Sequence, residues 1–573
     1  MKLRQITIRN FKAIPDTTLD LADFTVIIGA NGSGKSSVLQ ALHWMLQCAT
    51  HRTVRPQRQG GETISERAAP YMPTLDYRNA GHGQTYGSYV GSPQLDLFAR
   101  GDFDGAIHEA DMWIKSGRNE GIKVHIPAQN EFVRALRSLD RQITAYIPGL
   151  AGIPLQEEKL ARFDINRQAA AGDANVVLRN ILLRLKEADE GRGLRHLEEL
   201  VGAVLGPISL RVDFDENSSG TITAEFQTED MRQADARRFK PLELAGIGFL
   251  QVIQIFTYLV HFRPALLLVD EPDAHLHPST QECLIRALSN TAGAFDTQVV
   301  LTTHSPSVVR ALPPEARVVW MRDGNVQPEG DTTGRQMMGW GLLDKRVLIL
   351  SEDTDISPLR LLLSQWPEIE RSVAVWPLHG AQNLVSPDGC KSLRALFGDA
   401  LQIVLHRDRD FMSIEEAGFF CERYREKDVV VWLTRHSDVE GYWLDRDCVA
   451  SHFEVQSNQA QVFLERAIEA LTENDNHLQD FRRKRQALMN ATPFRNNADR
   501  FRQLGEQELL AQYTLDGPQH AVLGKALRDR LRDPAISDHN ARASSFGDSI
   551  PIGLAQGLAP DLRDLLVRVM GNR

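Results

Sequence analysis

The chain has 573 residues, of which 42% are apolar and 24% are charged, and its net charge at neutral pH is −10. The length predicts roughly two to four domains, and the acidic balance argues against a protein that binds nucleic acid through global basicity, although it leaves local basic patches open. The five cysteines form no CxxC pair, and neither a signal peptide nor an apolar run of about 18 residues is recognisable. We therefore expect a cytoplasmic protein without a membrane partner.

The first motif is a glycine-rich segment that follows the apolar run 24–28. Residues 29–36 read Gly-Ala-Asn-Gly-Ser-Gly-Lys-Ser, which is the pattern of a P-loop between a strand and a helix. Such a loop brings backbone N–H groups and the positive end of a helix dipole to phosphate oxygens. We expect ATP or GTP here, and the alternative is a glycine turn without nucleotide. The predicted nucleotide contacts are Asn31, Gly32, Gly34, Lys35 at the β- and γ-phosphates, Ser36 on Mg²⁺, and Ser37.

Two later apolar runs end in residues that would complete a nucleotide site. Residues 265–269 precede Asp270 and Glu271, and residues 298–303 precede His304. Continuous apolar runs are typical of strands buried on both faces of a parallel sheet, whose carboxyl ends bind ligands. We expect Asp270 to hold Mg²⁺ through water, Glu271 to orient or deprotonate the attacking water, and His304 to contact the γ-phosphate. The alternative is a pair of ordinary strands followed by polar turns.

These motifs together resemble the ABC-type ATPases, in the branch that includes SMC/Rad50 heads and the OLD-family nucleases. The resemblance rests on the opening strand at residues 6–12, on residues 270–278, which read Asp-Glu-Pro-Asp-Ala-His-Leu-His-Pro, and on His304 as the switch histidine. It implies ATP as the nucleotide and Mg²⁺ as its counterion. It also implies ATP hydrolysis, with Glu271 and His304 as catalytic residues.

Residues 244–251 stand where these ATPases have their signature motif. Ala245 occupies the position of the usual serine, so one hydroxyl contact to a γ-phosphate is missing. In the family, the signature of one protomer completes the ATP site of another, which implies a homo-oligomer that is at least an ATP-dependent dimer. Gly246 and Gly248 would then contact the partner's nucleotide. The alternative is a glycine-containing start of a buried helix.

The region between these motifs is less informative. Gln129 and Gln156 are candidates for the Q-loop, and neither has supporting context. Leucines at helical spacing predict a helical segment over residues 178–205. This segment is much shorter than the coiled-coil arm of an SMC protein, which argues against a DNA-repair clamp of the Rad50 type.

A new group of strand-like runs begins after residue 343, and each run ends in acidic residues. Parallel strands deliver their carboxyl ends to one edge of a sheet, so we expect these acids to cluster. Oxygen ligands of this kind select Mg²⁺ or Mn²⁺, and the alternative is a set of acidic turns without a metal. The runs and their acids are 346–350 with Glu352, 401–405 with Asp408 and Asp410, and 428–433 with Glu440.

This second pattern resembles the TOPRIM fold. Combined with an ABC-type head, it resembles OLD-family nucleases, including Gabija-type anti-phage proteins, and also the ATPase subunits of Septu-type and retron-associated defence systems. The resemblance implies an α/β protein with an ABC-type (SMC/Rad50-like) ATPase head over residues 1–343. A TOPRIM-like α/β domain over residues 344–445 and a helical region over residues 446–573 would follow.

The family's acidic positions carry over to this sequence one by one. Glu352, Asp408 and Asp410 become candidate catalytic residues and, together with Glu440, metal ligands, whereas Asp355 is a lesser candidate. The sequence departs from the family where Asp353 replaces the usual glycine and where Asp355 follows at a short spacing. These departures fit either a divergent active site or a degenerate one that is kept for structure.

Two functions therefore remain open. In the first, the ATPase of an anti-phage defence protein gates Mg²⁺-dependent cleavage of nucleic acid, with DNA preferred to tRNA. In the second, the chain is an ATPase sensor or scaffold with an inert TOPRIM-like domain that regulates a separately encoded nuclease such as an HNH protein, or a helicase or reverse transcriptase. The basic segment 481–485, with Arg495, Arg500 and Arg502, would serve as a nucleic-acid or partner surface, or simply as a solvated helix face.

Overall fold

The computed structural model describes most of the chain, and its residues divide into two compact units, Met1–Leu343 and Asp344–Arg573. Arg500 and Arg502, noted above for their charge, lie outside the described residues. Among the residues described, no helix is both long and apolar enough to cross a membrane. The described residues are 1–117, 121–149, 152–217, 219–235, 237–328, 330–339, 341–342, 345–473, 476–497, 501, 505–551, 554 and 557–571.

The first unit contains three sheets. A six-stranded antiparallel sheet has the order β2-β1-β5-β6-β7-β4, a three-stranded sheet has the order β11-β10-β9, and a second six-stranded sheet has the order β15-β14-β3-β13-β12-β8. The strands are β1 (Lys2–Phe11), β2 (Ile14–Asp20), β3 (Phe24–Ile28), β4 (Glu62–Ser65), β5 (Leu95–Phe103), β6 (Ala106–Ser116), β7 (Gly121–His125), β8 (Thr144–Ile147), β9 (Ile208–Asp213), β10 (Thr223–Thr228), β11 (Lys240–Pro241), β12 (Leu266–Val269), β13 (Gln298–Thr303), β14 (Arg317–Arg322) and β15 (Asn325–Val326).

The helices of this unit pack against all three of these sheets. They are α1 (Lys35–Thr50), α2 (Glu131–Ser138), α3 (Arg162–Ala170), α4 (Leu178–Glu187), α5 (Arg192–Leu205), α6 (Glu229–Ala234), α7 (Ile247–Phe262), α8 (Pro278–Ala294), α9 (Pro306–Arg310) and α10 (Gly330–Gly339).

The second six-stranded sheet positions the predicted nucleotide residues. Its strands β14, β3, β13, β12 and β8 are parallel to one another, whereas the edge strand β15 pairs antiparallel with β14. Every residue of β3, β12 and β13 is buried, as expected for strands of a parallel sheet that is covered on both faces. Helix α1 contacts strands of this sheet and of the antiparallel sheet, so it fills the space between them. The P-loop, which joins β3 to α1, is therefore fixed at both ends by a buried element.

The helical segment predicted over residues 178–205 is divided. Helix α4 ends at Glu187, and helix α5 begins at Arg192. Between them, Asp189, Glu190 and Gly191 all have positive φ angles of 50°, 55° and 73°, which an α-helix cannot accommodate. The segment is helical from Leu178 to Leu205, as predicted, and the local backbone imposes a break that the leucine spacing does not reveal.

The second unit is built on a four-stranded parallel sheet of order β17-β16-β18-β19. Helices dominate the remainder, so the predicted α/β class with a helical C-terminal region is confirmed. The elements are β16 (Val347–Ser351), α11 (Ser357–Ser364), α12 (Pro367–Ser372), β17 (Val373–Pro377), α13 (Pro387–Phe397), β18 (Gln402–Arg407), α14 (Ile414–Arg425), β19 (Val430–Leu433), α15 (Arg446–Phe453), α16 (Ser457–Thr472), α17 (Asn476–Asn490), α18 (Thr492–Arg495), α19 (Glu506–Tyr513), α20 (Gly524–Leu531) and α21 (Pro560–Gly571).

The core of this second unit joins the sheet to the C-terminal helices. Val347 and Ile349 of β16 share one apolar cluster with Phe463 of α16 and with Leu562 and Leu566 of α21. The helices that follow residue 445 therefore complete the core of the sheet. This packing fixes the strand ends from which the acidic residues emerge.

Candidate active sites

The P-loop has the backbone geometry that its glycines predict. Gly32 and Gly34 have φ angles of 80° and 98°, which lie in the left-handed region that glycine adopts without steric cost. Gly34 is the residue that precedes α1, and no side chain caps this helix. The first N–H groups of α1 are therefore available to an anion.

Lys35 is folded back over this loop. Its Nζ donates to the carbonyl oxygens of Gly29 at 3.0 Å and Ala30 at 3.1 Å, and it lies 3.7 Å from Oε1 of Glu271. The side chain is only 4% exposed. Phosphate oxygens are stronger acceptors for an ammonium group than neutral carbonyls, so the lysine is held close to the place where phosphates bind.

Asp270 lies at the centre of a small hydrogen-bond network. Its Oδ1 accepts from Ser36 Oγ at 2.9 Å and from Thr302 Oγ1 at 2.5 Å, and Tyr146 OH lies 3.4 Å from its Oδ2. Burial raises the pKa of Asp270, and the hydroxyls of Thr302 and Ser36 oppose that shift. Ser36 and Asp270 are therefore adjacent, as a shared Mg²⁺ would require.

Glu271 faces the same site from a strained backbone. Its φ angle is 45°, an unusual value for a residue with a side chain. Its N–H donates to Thr302 Oγ1 at 3.0 Å, and its carbonyl accepts from Gln251 Nε2 at 3.1 Å. Its Oε1 lies 3.5 Å from His304 Nδ1. The structure thus brings Lys35, Glu271 and His304 to one place, although they come from three distant segments.

The glycines of the signature-like segment differ in their surroundings. Gly246 precedes α7, and a Cβ atom there would meet nothing within 4 Å. At Gly248, a Cβ would lie 2.5 Å from the carbonyl oxygen of His275. Packing within the chain therefore requires the second glycine, a reason that sequence reasoning did not give. Leu244 and Ile247, beside them, are 67% and 43% exposed.

The second group of acids meets at the carboxyl ends of β16 and β18. Ser351 ends β16 and precedes Glu352 and Asp353, whereas β18 ends at Arg407 and precedes Asp408. Because these strands pair in parallel, with Ser351 opposite His406, their acids lie side by side. Glu352, Asp408 and Asp410 are 6%, 7% and 7% exposed, so three carboxyl groups are buried at one edge of the sheet.

A histidine that the sequence analysis did not select lies beneath this cluster. His406 is fully buried, and its Nδ1 lies 2.8 Å from Ser351 Oγ. Its Nδ1 lies 3.6 Å from Asp353 Oδ2, and its Nε2 lies 3.7 Å from Asp408 Oδ1. Ligand atoms of Asp353, His406 and Asp408 fall within 4.8 Å of one another, a spacing that suits one metal ion.

The acidic groups of the cluster have raised pKa values because they are buried close to one another. Burial, with Asp410 next, raises the pKa of Glu352 to about 8. Burial and then Glu440 raise the pKa of Asp353 to about 6 and that of Asp438 to about 7. Burial, followed by Asp353 and Glu352, also raises the pKa of Asp408 well above its usual range. These acids therefore resist ionisation in the absence of a cation.

Several atoms of the cluster are buried without a hydrogen-bond partner. They include Glu352 Oε2, Asp408 Oδ1 and His406 Nε2. Leaving such a group unsatisfied costs roughly 1–3 kcal/mol, and polar groups in protein interiors are usually paired. Carboxylate oxygens and an imidazole nitrogen are ligands for Mg²⁺ or Mn²⁺, so this donor set fits a divalent cation.

One positive charge enters the cluster from the helical region. Lys484 of α17 places its Nζ 2.6 Å from Asp410 Oδ1. Burial alone lowers the pKa of Lys484, but Asp410 reverses that effect and raises the pKa overall. The sequence analysis identified the basic segment around this lysine without singling out the residue. The two partners are 74 positions apart in the sequence, so the sequence pattern did not predict the contact.

The predicted acids Glu440 and Asp355, and the neighbouring Asp438, each have a partner within the protein. Glu440 pairs with Arg528 Nη1 at 3.3 Å, although its charge reaches Asp353 and Asp438. The lesser candidate Asp355 accepts a hydrogen bond from the N–H of Ser357 at the start of α11. Asp438 accepts from the N–H groups of Gly441 and Lys525. Among the central acids, Asp410 is also paired, with Lys484, and Glu352 Oε2 lies 3.5 Å from Arg407 Nε.

Comparisons with known proteins agree with the first of these sites. Residues 1–77 match a family model described as "AAA ATPase domain", and residues 154–310 match one described as "AAA domain, putative AbiEii toxin, Type IV TA system". The chain is 23% identical over 363 residues to the Old nuclease of Escherichia phage P2, which covers 57% of this chain and 60% of that protein. It is also 31% identical over 131 residues to protein ea59 of Escherichia phage lambda, covering 22% and 24% of the two chains.

Among solved structures, SMC head domains overlie the first part of the chain. The head from Thermotoga maritima is 14% identical, with a TM-score of 0.31 over 57% of this chain and 97% of that one. The head with coiled coil and joint from Pyrococcus yayanosii is 12% identical, with a TM-score of 0.37 over 59% and 99%. The chain spans less than two thirds of the curated relatives that it matches. The matches to the two family models identify the chain as an ATPase.

Proposed function

We propose that this ATPase, which is related to the Old nuclease of phage P2, controls the Mg²⁺-dependent cleavage of nucleic acid at the acidic cluster of its second unit. The observation that carries the proposal is the pair of buried carboxylate oxygens, Glu352 Oε2 and Asp408 Oδ1, that have no hydrogen-bond partner. A site built only for structure would pair such atoms within the protein. A cation would pair them here.

In the nucleotide site, each residue would have its own role toward ATP. The P-loop N–H groups and Lys35 bind the phosphates, and Ser36 and Asp270 hold Mg²⁺. Glu271 orients the attacking water and accepts its proton, because its carboxylate lies next to Lys35 and His304. His304 contacts the γ-phosphate and loses that contact after hydrolysis.

In the acidic cluster, Glu352, Asp353, His406, Asp408 and Asp410 would hold the metal. A bound Mg²⁺ or Mn²⁺ supplies an activated water and stabilises the leaving oxygen of a phosphodiester. Lys484 and the arginines that stand next to these acids in the sequence neutralise the charge of the substrate backbone. Glu440 supports the site through its charge on Asp353.

The same proposal assigns an assembly and a role. Gly246 and the exposed start of α7 complete the ATP site of a second copy, so ATP would stabilise a dimer. The two states of the nucleotide would then open or close the acidic site to a strand, with DNA preferred to tRNA. A cytoplasmic nuclease held in check by nucleotide fits a role in defence against phage, where foreign nucleic acid is the target.

The test is cleavage of plasmid DNA by the full-length chain with Mg²⁺ or Mn²⁺, with and without ATP. Asp408→Asn keeps the side-chain shape and removes a charge, whereas Asp388→Asn changes an exposed carboxylate that pairs with Lys427 and serves as the matched control. We expect cleavage by the parent and by the Asp388 variant, and none by the Asp408 variant. Equal cleavage by all three would mean a contaminating nuclease, and absence of cleavage of both DNA and tRNA would reject the proposal.

A second function is favoured by the lysine in the cluster. Lys484 bonds Asp410 at 2.6 Å, so a protein cation already satisfies one acid that a metal would use. In this alternative the site is inert, and the chain is an ATP-dependent sensor or scaffold for a separately encoded nuclease such as an HNH protein. Calorimetric titration with Mn²⁺ separates the two, because an inert site of this kind would not bind the ion at millimolar concentration.

A further inference from the structure

A second charged cavity lies in the first unit, at the opposite edge of the sheet from the nucleotide site. Its volume is about 830 Å³, and Gln142 and Arg263 are among its lining residues. These residues come just before β8 and β12, whereas Asp270 and Glu271 follow β12. Because β8 and β12 are parallel, the cavity faces their amino ends. Nothing in the ATPase chemistry uses it.

The cavity is rich in arginine although the chain as a whole is acidic. Four arginines and two acids line it, and some of these charges are balanced locally. Arg141 donates to Asp296 Oδ2 at 3.0 Å, and Glu187 pairs with Lys159 at 3.6 Å. The charged lining residues are Arg141, Arg162, Arg184, Arg263, Asp140 and Glu187.

Two residues that line this cavity, Arg184 and Gln142, each carry one buried polar atom without a hydrogen-bond partner among the described residues. Arg184 Nε is a donor, and Gln142 Oε1 is an acceptor. Each unsatisfied atom is costly in a native structure. Together they call for a ligand that carries both an anionic acceptor and a hydrogen-bond donor.

The positive charges converge on one wall of the cavity. Burial, followed by the charges of Arg184 and Arg162, lowers the pKa of His261 to about 4. The imidazole is therefore neutral at physiological pH. Next to it, the ring of Phe262 also lines the cavity, and it offers an apolar surface on which a flat base can stack.

We propose that this cavity binds a nucleotidyl ligand of one or two nucleotides. The phosphate is held by Arg184 and Arg162, the base lies against Phe262, and Gln142 accepts a hydrogen bond from the base or sugar. Guanidinium groups suit phosphate because they form paired, charge-assisted hydrogen bonds. The volume of about 830 Å³ lies within the range of small-ligand sites. This inference is independent of the nuclease proposal, since every residue it uses belongs to the first unit.

Two ligands have this chemistry: a free nucleotide, and the nucleotides of a single strand of nucleic acid. Isothermal titration of the full-length chain carrying Lys35→Ala, which weakens the P-loop, uses AMP, the dinucleotide pApA, a ten-residue oligothymidylate and inorganic phosphate as probes. We expect AMP or pApA to bind, and Arg184→Gln and Arg162→Gln each to weaken that binding about tenfold, the effect of one charged hydrogen bond. Binding only of the oligonucleotide, with the same arginine dependence, would identify a strand as the source.

The matched control is Arg167→Gln, because Arg167 lies on the same helix as Arg162 and pairs with the exposed Asp164 at 3.2 Å. This variant should bind like its parent. Arg162 is exposed, so its variant folds even if the Arg184 variant does not. Three results would overturn the proposal: no binding of any nucleotide at millimolar concentration, binding of inorganic phosphate alone, or nucleotide binding that the Arg162 variant leaves unchanged.

Discussion

The nucleotide site and the acidic cluster are both built at the carboxyl ends of parallel strands, but they balance their charges differently. Asp270 receives hydrogen bonds from Ser36 and Thr302, and Glu271 lies beside Lys35 and His304. In the acidic cluster, Asp408 Oδ1 and Glu352 Oε2 accept no hydrogen bond from the described residues, and they have only longer contacts, to His406 Nε2 at 3.7 Å and to Arg407 Nε at 3.5 Å. The first site can therefore exist without a ligand at little cost, whereas the second stores the repulsion of several buried carboxyl groups.

This difference has a functional meaning. A site whose carboxylates already have hydrogen-bond partners can bind and release its nucleotide repeatedly without a large change in stability. A site whose carboxyl groups are left unpaired gains free energy when a cation enters, because burial then no longer opposes ionisation. Nucleotide turnover suits the first arrangement, and tight retention of a divalent ion suits the second.

The largest effect is expected for Glu271→Gln. This change keeps the shape of the side chain and removes the carboxylate that we propose as the base, so ATP turnover should fall by about 10²–10⁴-fold. ATP binding should persist, because Lys35 and the P-loop are untouched, and the trapped nucleotide should increase the fraction of dimer. Phosphate release and analytical ultracentrifugation measure the two quantities.

The control for that experiment is Glu282→Gln, which changes an exposed acid of α8 that pairs with Arg286. Its turnover should equal that of the parent. Turnover by the Glu271 variant within threefold of the parent would show that another residue serves as the base. An assembly state that ATP does not alter in either chain would argue against the shared ATP site.

Lys484→Met tests the acidic cluster, the second of the two sites compared. Without the ammonium group, Asp410 is left buried without its cation, so the metal-free chain should lose about 1–3 kcal/mol of unfolding free energy. Mn²⁺ should restore most of that loss if the ion can satisfy the same acid. Arg483→Met, which changes a neighbouring exposed arginine paired with Asp480, is the control in thermal unfolding with EDTA or Mn²⁺. Equal melting temperatures for both variants in EDTA would contradict the contact.

The metal-free chain should also lose stability as the pH rises. The pKa of Glu352 is about 8 against an ordinary value of 4.5, and that of Asp438 is about 7 against 3.8. Between the ordinary and the raised values, the unfolded chain has released protons that the folded chain still holds, so a rise in pH favours unfolding. The stability that these groups contribute is complete below about pH 4 and is lost by about pH 8.

Thermal unfolding in EDTA across this pH range measures the slope, and saturating Mn²⁺ should reduce it, since a bound cation favours the ionised acids. The Asp408→Asn variant should show a weaker slope than the parent because one repelling group is gone. A melting temperature that does not depend on pH between 5 and 8 would show that the acids are already ionised in the metal-free chain.

Much of this arrangement could be predicted from the sequence, and the failures have physical causes. The strand-like runs before Asp270, His304 and Asp408 predicted the buried strands, because largely apolar runs of this length suit parallel strands that are covered on both faces. Long-range contacts were not accessible in this way. Nothing in the sequence pairs Lys484 with Asp410, since that contact depends on how the helical region packs against the sheet.

Local backbone conformation was the second feature that could not be predicted from the sequence. The break between α4 and α5 depends on positive φ angles at Asp189 and Glu190, which the leucine spacing on either side does not reveal. Similarly, the need for glycine at Gly248 comes from the carbonyl of His275, which lies 27 positions away along the printed sequence. Pattern reasoning identifies elements that bury one face, but it does not detect close approaches of one backbone to another.

The smallest effect is expected for Tyr146→Phe, which sharpens the account of the nucleotide site. The hydroxyl of Tyr146 lies 3.4 Å from Asp270 Oδ2, a long and weak hydrogen bond, and Asp270 keeps the shorter bonds from Ser36 and Thr302. ATP turnover should change by less than about twofold, within the ~0.5 kcal/mol of a weak neutral contact. Ser36→Ala is the matched comparison, because it removes the 2.9 Å bond and a Mg²⁺ ligand, and it should lower turnover by at least tenfold. Equal loss of activity in the two variants would show that Asp270 depends on all of its hydrogen bonds together. The difference between the two sites would then be supported only by the unpaired oxygens of the acidic cluster.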